Sequence, residues 1–451
     1  MKLQLLSHPR KLRFIVGYLR FRFLFLSLVP LAAYSQNASS AFNVKDGGAF
    51  QHQNQNEISS AQPKRFGLIK YSGIWLSGKY SDADRLFPIG KGFAMQFNDK
   101  GDATLSQALL RDLRAHANPE GSRIIDVVAP DDYTPDASTG EALVMACAIN
   151  YEHVDGIEIG GIKKVIAEVG FDLIVCNFAD RSVVISLPGR VTRTDVSKAD
   201  NITPEKKTEL LKKLYQEELV KQFCKLAQSH GPELLGIKTA AVTNITLFPE
   251  AKSICPDWLQ SRVEEYFAGV AAGNFYEGSG IPLLPFSRGN EVSFCAMREQ
   301  LSDANRVVAL SESEAGASGM SFVLKKPDYE IEFVIPAFKT VTATSGPAGN
   351  LVQNCAYSRI TIKHGDRVIY STQHDGNVQN LIPSGSSRKT PWLAYSDAIN
   401  TLFYKGSRQI LKDHCAGETV DQLKPVKIII PSEIRRFFLD CAPWSILSKQ
   451  Q

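Results

Sequence analysis

The 451-residue chain has no CxxC pair, and none of its eight cysteines precedes Cys147. That excludes a thioredoxin-type redox motif. Without a Cys/His cluster at ligand spacing, a zinc finger or ribbon is excluded as well. Beyond residue 35 no stretch of 18 apolar residues occurs, so no membrane-spanning helix is expected there. The phosphate loop, the dinucleotide fingerprint, HExxH, GxSxG and the EF-hand loop are all missing. Gly90-Lys91-Gly92 lacks a third glycine, and Ser386 and Lys389 match Ser-x-x-Lys by count only, in the loop running from Pro383. The histidines are scattered. His364 and His374 flank one strand and read as turn-exposed, and nothing marks Glu158 and Glu168 as an acid/base pair. No catalytic, cofactor-binding or metal-ligating residue is therefore nominated, and no cofactor is expected.

Acidic residues are absent from positions 1–35, which carry Lys2, Arg10, Lys11, Arg13, Arg20 and Arg22 and then the apolar run Leu24–Tyr34. A basic segment, a short apolar run and small residues before polar sequence describe a secretory signal peptide. Ala33 and Ser35 stand at −3 and −1 for cleavage before Gln36. Removing those six basic residues turns 51 basic against 47 acidic into 45 against 47. The positive net charge thus belongs to targeting, and no nucleic-acid partner is expected. The implied location is the periplasm, the outer-membrane surface or the secreted fraction. An even cysteine count permits disulfides in such a compartment, with many connectivities open; the pairing expected first is Cys415 with Cys441, closing the tail onto the body.

Residues 36–64 are rich in Gln, Asn, Ser and Ala and read as a flexible polar leader. Patterning then falls into two stretches, 65–230 and 233–415, each a strand, a helix, further strands with a hairpin, and a closing helix. In the first, Leu105, Leu109 and Leu113 mark a helix with Thr104 and Gln107 as its capping box. Strands follow at 142–151, 171–178 and 182–187. Thr203-Pro204 opens a helix striped by Leu211, Tyr215, Leu219 and Phe223. In the second, a strand at 235–242 precedes a helix opened by Pro256. Strands at 329–338, 357–363 and 368–372 lead to a helix opened by Thr390-Pro391. The hairpins turn through Asp180-Arg181 and Asp366-Arg367, which points to an internal duplication. The expected fold class is α+β: two tandem sandwich-like halves, each a mixed sheet with helices packed on one face. Residues 416–451 form a tail with a strand at Val426–Pro431 and a basic-aromatic helix, which either adds an edge strand to one half or serves as a docking tail. Val426, Ile428, Ile430, Phe437 and Phe438 are its candidate interaction residues, as an unpaired strand edge beside aromatic anchors.

This order of elements, in 142–187 with 203–227 and again in 329–372 with 390–412, resembles the small α/β domain of bacterial envelope proteins. The TolB amino-terminal domain and the curli-secretion lipoprotein CsgG are examples, with relatives among flagellar-ring and outer-membrane accessory proteins. The resemblance implies an assembly module without catalysis, whose partners are other envelope proteins or further copies of itself. It transfers no functional residue. Two other readings stay open: an exported hydrolase whose site is assembled from separated residues, and a periplasmic protein binding a ligand in the cleft between the halves.

Overall fold

The computed structural model describes residues 69–94, 96, 104–116, 127–128, 143–159, 162–198, 203–229, 238–297, 313–314, 317–383, 392–413 and 428–441. All belong to one compact unit, Ala61–Gln451. The expected signal peptide and the whole of the leader lie outside the described residues, as do Cys415 and Val426.

The first half runs β1 (Ile69–Ser77), α1 (Ala83–Leu86), α2 (Gly90–Ala94), α3 (Thr104–His116), β2 (Val127–Val128), β3 (Leu143–Ile159), β4 (Ile162–Asn177), β5 (Ser182–Lys198), α4 (Pro204–Lys213) and α5 (Val220–Ser229). A single π-type turn at Leu214–Leu219 joins the last two helices. β1 and β3 are parallel, and β3, β4 and β5 form an antiparallel meander. Side chains alternate across the sheet, so Met145, Cys147 and Ile149 meet Leu109, Leu113, Leu219 and Phe223 from the helices. Val144, Ala146 and Ala148 point the other way. Thr203 caps α4 as expected, its hydroxyl accepting from the Lys206 N–H at 3.3 Å with Pro204 in the first turn. The capping box expected at Thr104 does not form. Thr104 is itself helical, and its hydroxyl donates to the Gln96 carbonyl at 3.2 Å.

The second half runs β6 (Ala240–Leu247), α6 (Pro249–Lys252), α7 (Asp257–Gln260), α8 (Val263–Ser279), β7 (Leu283–Leu284), β8 (Glu291–Met297), β9 (Ser313–Glu314), β10 (Ala317–Val323), β11 (Tyr329–Ile335), β12 (Phe338–Gly346), β13 (Gly349–His364), β14 (Arg367–Pro383), α9 (Trp392–Asp413), β15 (Ile428–Ile429) and α10 (Pro431–Cys441). β6 and β11 are parallel, while β11, β13 and β14 are antiparallel neighbours. The chain therefore repeats one connectivity: a parallel strand–helix–strand crossover, two hairpin strands and a closing helix. β11 and β12 lie end to end along the same side of β13. Together they occupy the place of the long β3. Pro336, which has no N–H to donate, stands at the break.

One segment crosses between the sheets. β8 pairs with β1 and with β10, and β10 meets β5 at Val323↔Ser182. With β1, β3, β4 and β5 they close a circuit of six strands. The interior of this ring is aromatic. Trp75 stacks on Phe322 at 5.7 Å between ring centroids and also contacts Phe178 and Phe294. Residues 291–323 thus serve the first sheet, so sheet membership does not follow a division at 230/233 throughout. The fold is α+β, with mixed sheets and helices layered on them.

In the second half α9 lies directly on β14. A Cβ at Gly376 would stand 2.0 Å from the Ala398 carbonyl oxygen and 2.4 Å from the Leu402 nitrogen, so only glycine admits this approach. The tail completes the same layer. β15 pairs with β14 at Tyr370↔Ile429. Phe437 and Phe438 are fully buried, and the Phe437 ring lies 4.9 Å from that of Tyr329. The Tyr329 hydroxyl donates to Asp440 at 2.6 Å, and Lys238 pairs with the same carboxylate at 3.0 Å. The tail aromatics are core residues here and offer no docking surface, because an apolar pair adjoining an open sheet gains most by covering it.

Candidate functional sites

Two places stand out, a cleft and a bare strand edge. The cleft, of about 400 Å³, opens where the end of the strand ring meets α8. Its wall is built by three strands. β1 ends at Ser77, and Gly78, in the left-handed region at φ 95°, turns the chain away. Asn150 sits at a bulge in β3, just past the last β1 pairing, and bulges re-aim side chains. Asp172, on β4, shares the inward face of Ile174 and Cys176. The Ser77 hydroxyl donates to Asn150 Oδ1 at 2.8 Å, and Asn150 Nδ2 donates to Asp172 Oδ2 at 2.9 Å. From the other wall, Arg262 at the start of α8 donates to the Asn150 carbonyl at 3.2 Å and lies over the Phe87 ring.

Asp172 is only 4 % exposed. Burial pushes its carboxyl up to about 6, against the Asn150 hydrogen bond and the neighbouring Ser186 hydroxyl. Burial also lowers the Arg262 guanidinium, against the nearby Glu265 and Asp82 carboxylates and with Arg85 acting in the same direction as burial. Among the described residues neither Asp172 nor Arg262 forms an ion pair. At the mouth Arg85 pairs with Asp82 at 3.5 Å and Arg288 with Glu264 at 3.1 Å, and Glu265 and Glu291 also line it.

The strand edge belongs to β12. Each half extends its β-meander beyond the core as a three-stranded arm: the distal parts of β3, β4 and β5, and β12 with the matching lengths of β13 and β14. The base of the first arm is covered. Tyr151 packs on Tyr266 of α8 and His153 stacks on Trp258 of α7 at 4.2 Å. The buried Glu168 accepts from the Tyr151 hydroxyl at 2.7 Å and pairs with Arg190, which reaches Asn274. On the second arm the outer strand is exposed. After Phe338 all eight remaining residues of β12 are exposed, Val341 at 50 %, and among the described residues β12 pairs only with β13.

Of the residues weighed from sequence, His364 and His374 do not meet: His364 stacks on Tyr329, while His374 bonds the Tyr370 hydroxyl at 2.8 Å. Glu158 pairs across the arm with Lys163 in register, apart from Glu168. Gly90 opens α2, where its N–H and that of Ile89 donate to Glu152, a structural cap. Ser386 and Lys389 lie outside the described residues. Ile428 and Ile430 stand at the β15 end of the second sheet, and the Cys441 thiol is free and buried. Sequence reading passed over Asp172, although one carboxylate inside the run Phe171–Cys176 was its signal. Arg262 had none, because its role depends on where α8 lands. No group of three or more His, Cys, Asp or Glu side chains among the described residues is arranged to hold a metal ion. Among them, too, no helix is long and apolar enough to cross a membrane. Compared with known proteins, the chain matches no family model, no curated protein and no solved structure.

Proposed function

We propose that the protein is exported and acts without catalysis in the cell envelope or outside the cell, assembling through β12 with a second copy of itself. The bare β12 edge carries this reading. Its regular part is Phe338–Thr342, before the bulge at Ala343. Antiparallel pairing of two copies about Thr340 sets Thr340 opposite Thr340 and Val341 opposite Lys339. The lysine stem then covers the exposed valine, and no like charges face each other. An edge with one charge and no proline is open to such addition. The amino-terminal pattern supports export, and the repeated strand order accords with an envelope assembly module. Burial lifts the thiols of Cys224 and Cys255 to about 12 and that of Cys295 to about 11, leaving them poor nucleophiles. A Cys415–Cys441 bridge in the exported form belongs to the same reading and is checked by mass mapping without reductant.

Sedimentation of the mature chain across a concentration series tests the assembly. Wild type is expected to dimerise. Val341→Lys, which sets lysine against Lys339 twice, weakens the dimer at least tenfold, and Val341→Thr leaves it nearly unchanged. A monomer at every concentration, or a dimer indifferent to Val341→Lys, refutes the reading. Amino-terminal sequencing of protein from the producing cell checks export. Cleavage near Gln36 is expected, and an intact Met1 in the cytosol contradicts it.

A further inference from the structure

We infer that the cleft between the strand ring and α8 binds a small zwitterion of the α-amino-acid class, its ammonium on Asp172 and its carboxylate on Arg262. The case is independent of assembly through β12. A charge held away from water without a counter-ion is costly, and such a group is ordinarily paired or replaced. Here two charges of opposite sign stand in one cleft, each bonded to Asn150 and neither paired with the other: the side-chain amide donates to Asp172, and the backbone carbonyl accepts from Arg262. Both groups bond to one residue, Asn150, which brings the two charges to the same part of the cleft.

Neighbouring groups sharpen the choice. Asp172 offers acceptors but no donor when ionised, which selects an ammonium over a second anion. Arg262 presents a planar fork that matches a carboxylate in two parallel bonds. Its position is fixed by the Asn150 carbonyl on one side and the Phe87 ring on the other. Of the remaining mouth charges, Arg85 pairs with Asp82 and Arg288 with Glu264 and Glu265, and Glu291 adds a further carboxylate, so the mouth leans acidic and favours a ligand that carries an ammonium over a simple anion. Ala268, Gly269, Ala272 and Phe286 supply apolar wall for a side chain. The volume sits at the low end of the range that holds small ligands.

Titration calorimetry of the full mature chain with a panel of free L-amino acids tests this. At least one member should bind, and both its N-acetyl and its methyl-ester derivatives should bind at least tenfold more weakly, since each removes one of the two charges. Asp172→Asn and Arg262→Gln should reproduce those losses singly, with circular dichroism showing the fold retained. If no member of the panel binds at millimolar concentration, or if a derivative lacking one charge binds like its parent, the inference is wrong. The derivatives keep the test decisive even where a variant fails to fold.

Discussion

The two halves share one connectivity and differ in how they finish it. The first sheet closes: β8 and β10, carried in the second half of the chain, pair with β1 and β5 and leave an aromatic-filled ring. The second sheet stays open, capped at one end by β15 and α10 and bare along β12. The arms follow the same contrast. α8 is buried around nearly its whole circumference because the second sheet lies on one side and the first arm on the other. α3, its counterpart in the first half, has a polar outer face with Gln107, Arg111 and Arg114 exposed. A shared unit can thus be turned to the inside of a molecule or to its surface by what covers its arm.

The largest effect expected from breaking this contrast is in the ring. Trp75→Ala removes the centre of the aromatic cluster and should cost about 3–5 kcal/mol in denaturant unfolding. A loss below about 1 kcal/mol would mean that ring closure adds little to stability.

Next comes the cleft inside the closed half. The folded chain holds the Asp172 proton up to about pH 6, whereas an unfolded aspartate releases it near pH 3.9. Between those values the native state binds more protons than the unfolded one. The contribution of this group to stability is therefore complete below about pH 4 and is lost as pH rises through 6. Asp172→Asn should accordingly stabilise the protein at pH 7 by about 2–3 kcal/mol, a gain over wild type that shrinks towards zero as pH falls to about 4. A destabilised variant at pH 7 would contradict the burial cost.

The open half is probed by Gly376→Ala, which drives a methyl group into the α9 backbone and should cost about 1–3 kcal/mol. Thr203→Ala, which removes one cap from the closing helix of the first half, should cost about 1 kcal/mol. Equal effects of the two substitutions would mean that α9 can shift on its sheet more freely than the glycine contact implies.

Much of the repeated unit was legible in sequence because its signals are local. The leucines of α3 and the stripe Leu211, Tyr215, Leu219 and Phe223 announce helices by spacing, and all of them are buried. Strand lengths were read short, since β3, β4 and β5 continue past their apolar cores into charged arms whose pairing is held by backbone bonds. Ring closure was illegible. Glu291–Met297 and Ala317–Val323 carry no mark that they serve the distant β1 and β5. The tail was read correctly as a strand and a helix. Its aromatic pair, proposed as anchors for a partner, instead buries against Tyr329, because an exposed apolar pair and a core pair look the same until the surface beneath is known. The cleft rests on Asn150, Asp172 and Arg262, drawn from β3, β4 and α8, and tertiary placement alone unites them.

Hydrogen exchange measured at rising protein concentration tests the contrast between the closed and the open half most directly. The account predicts that those amides of Phe338–Thr342 that point away from β13 exchange rapidly in dilute solution and become protected as concentration rises, while β8 and β10 stay protected throughout. Protection of β12 that does not change with concentration, or rapid exchange in β8 and β10, would contradict it.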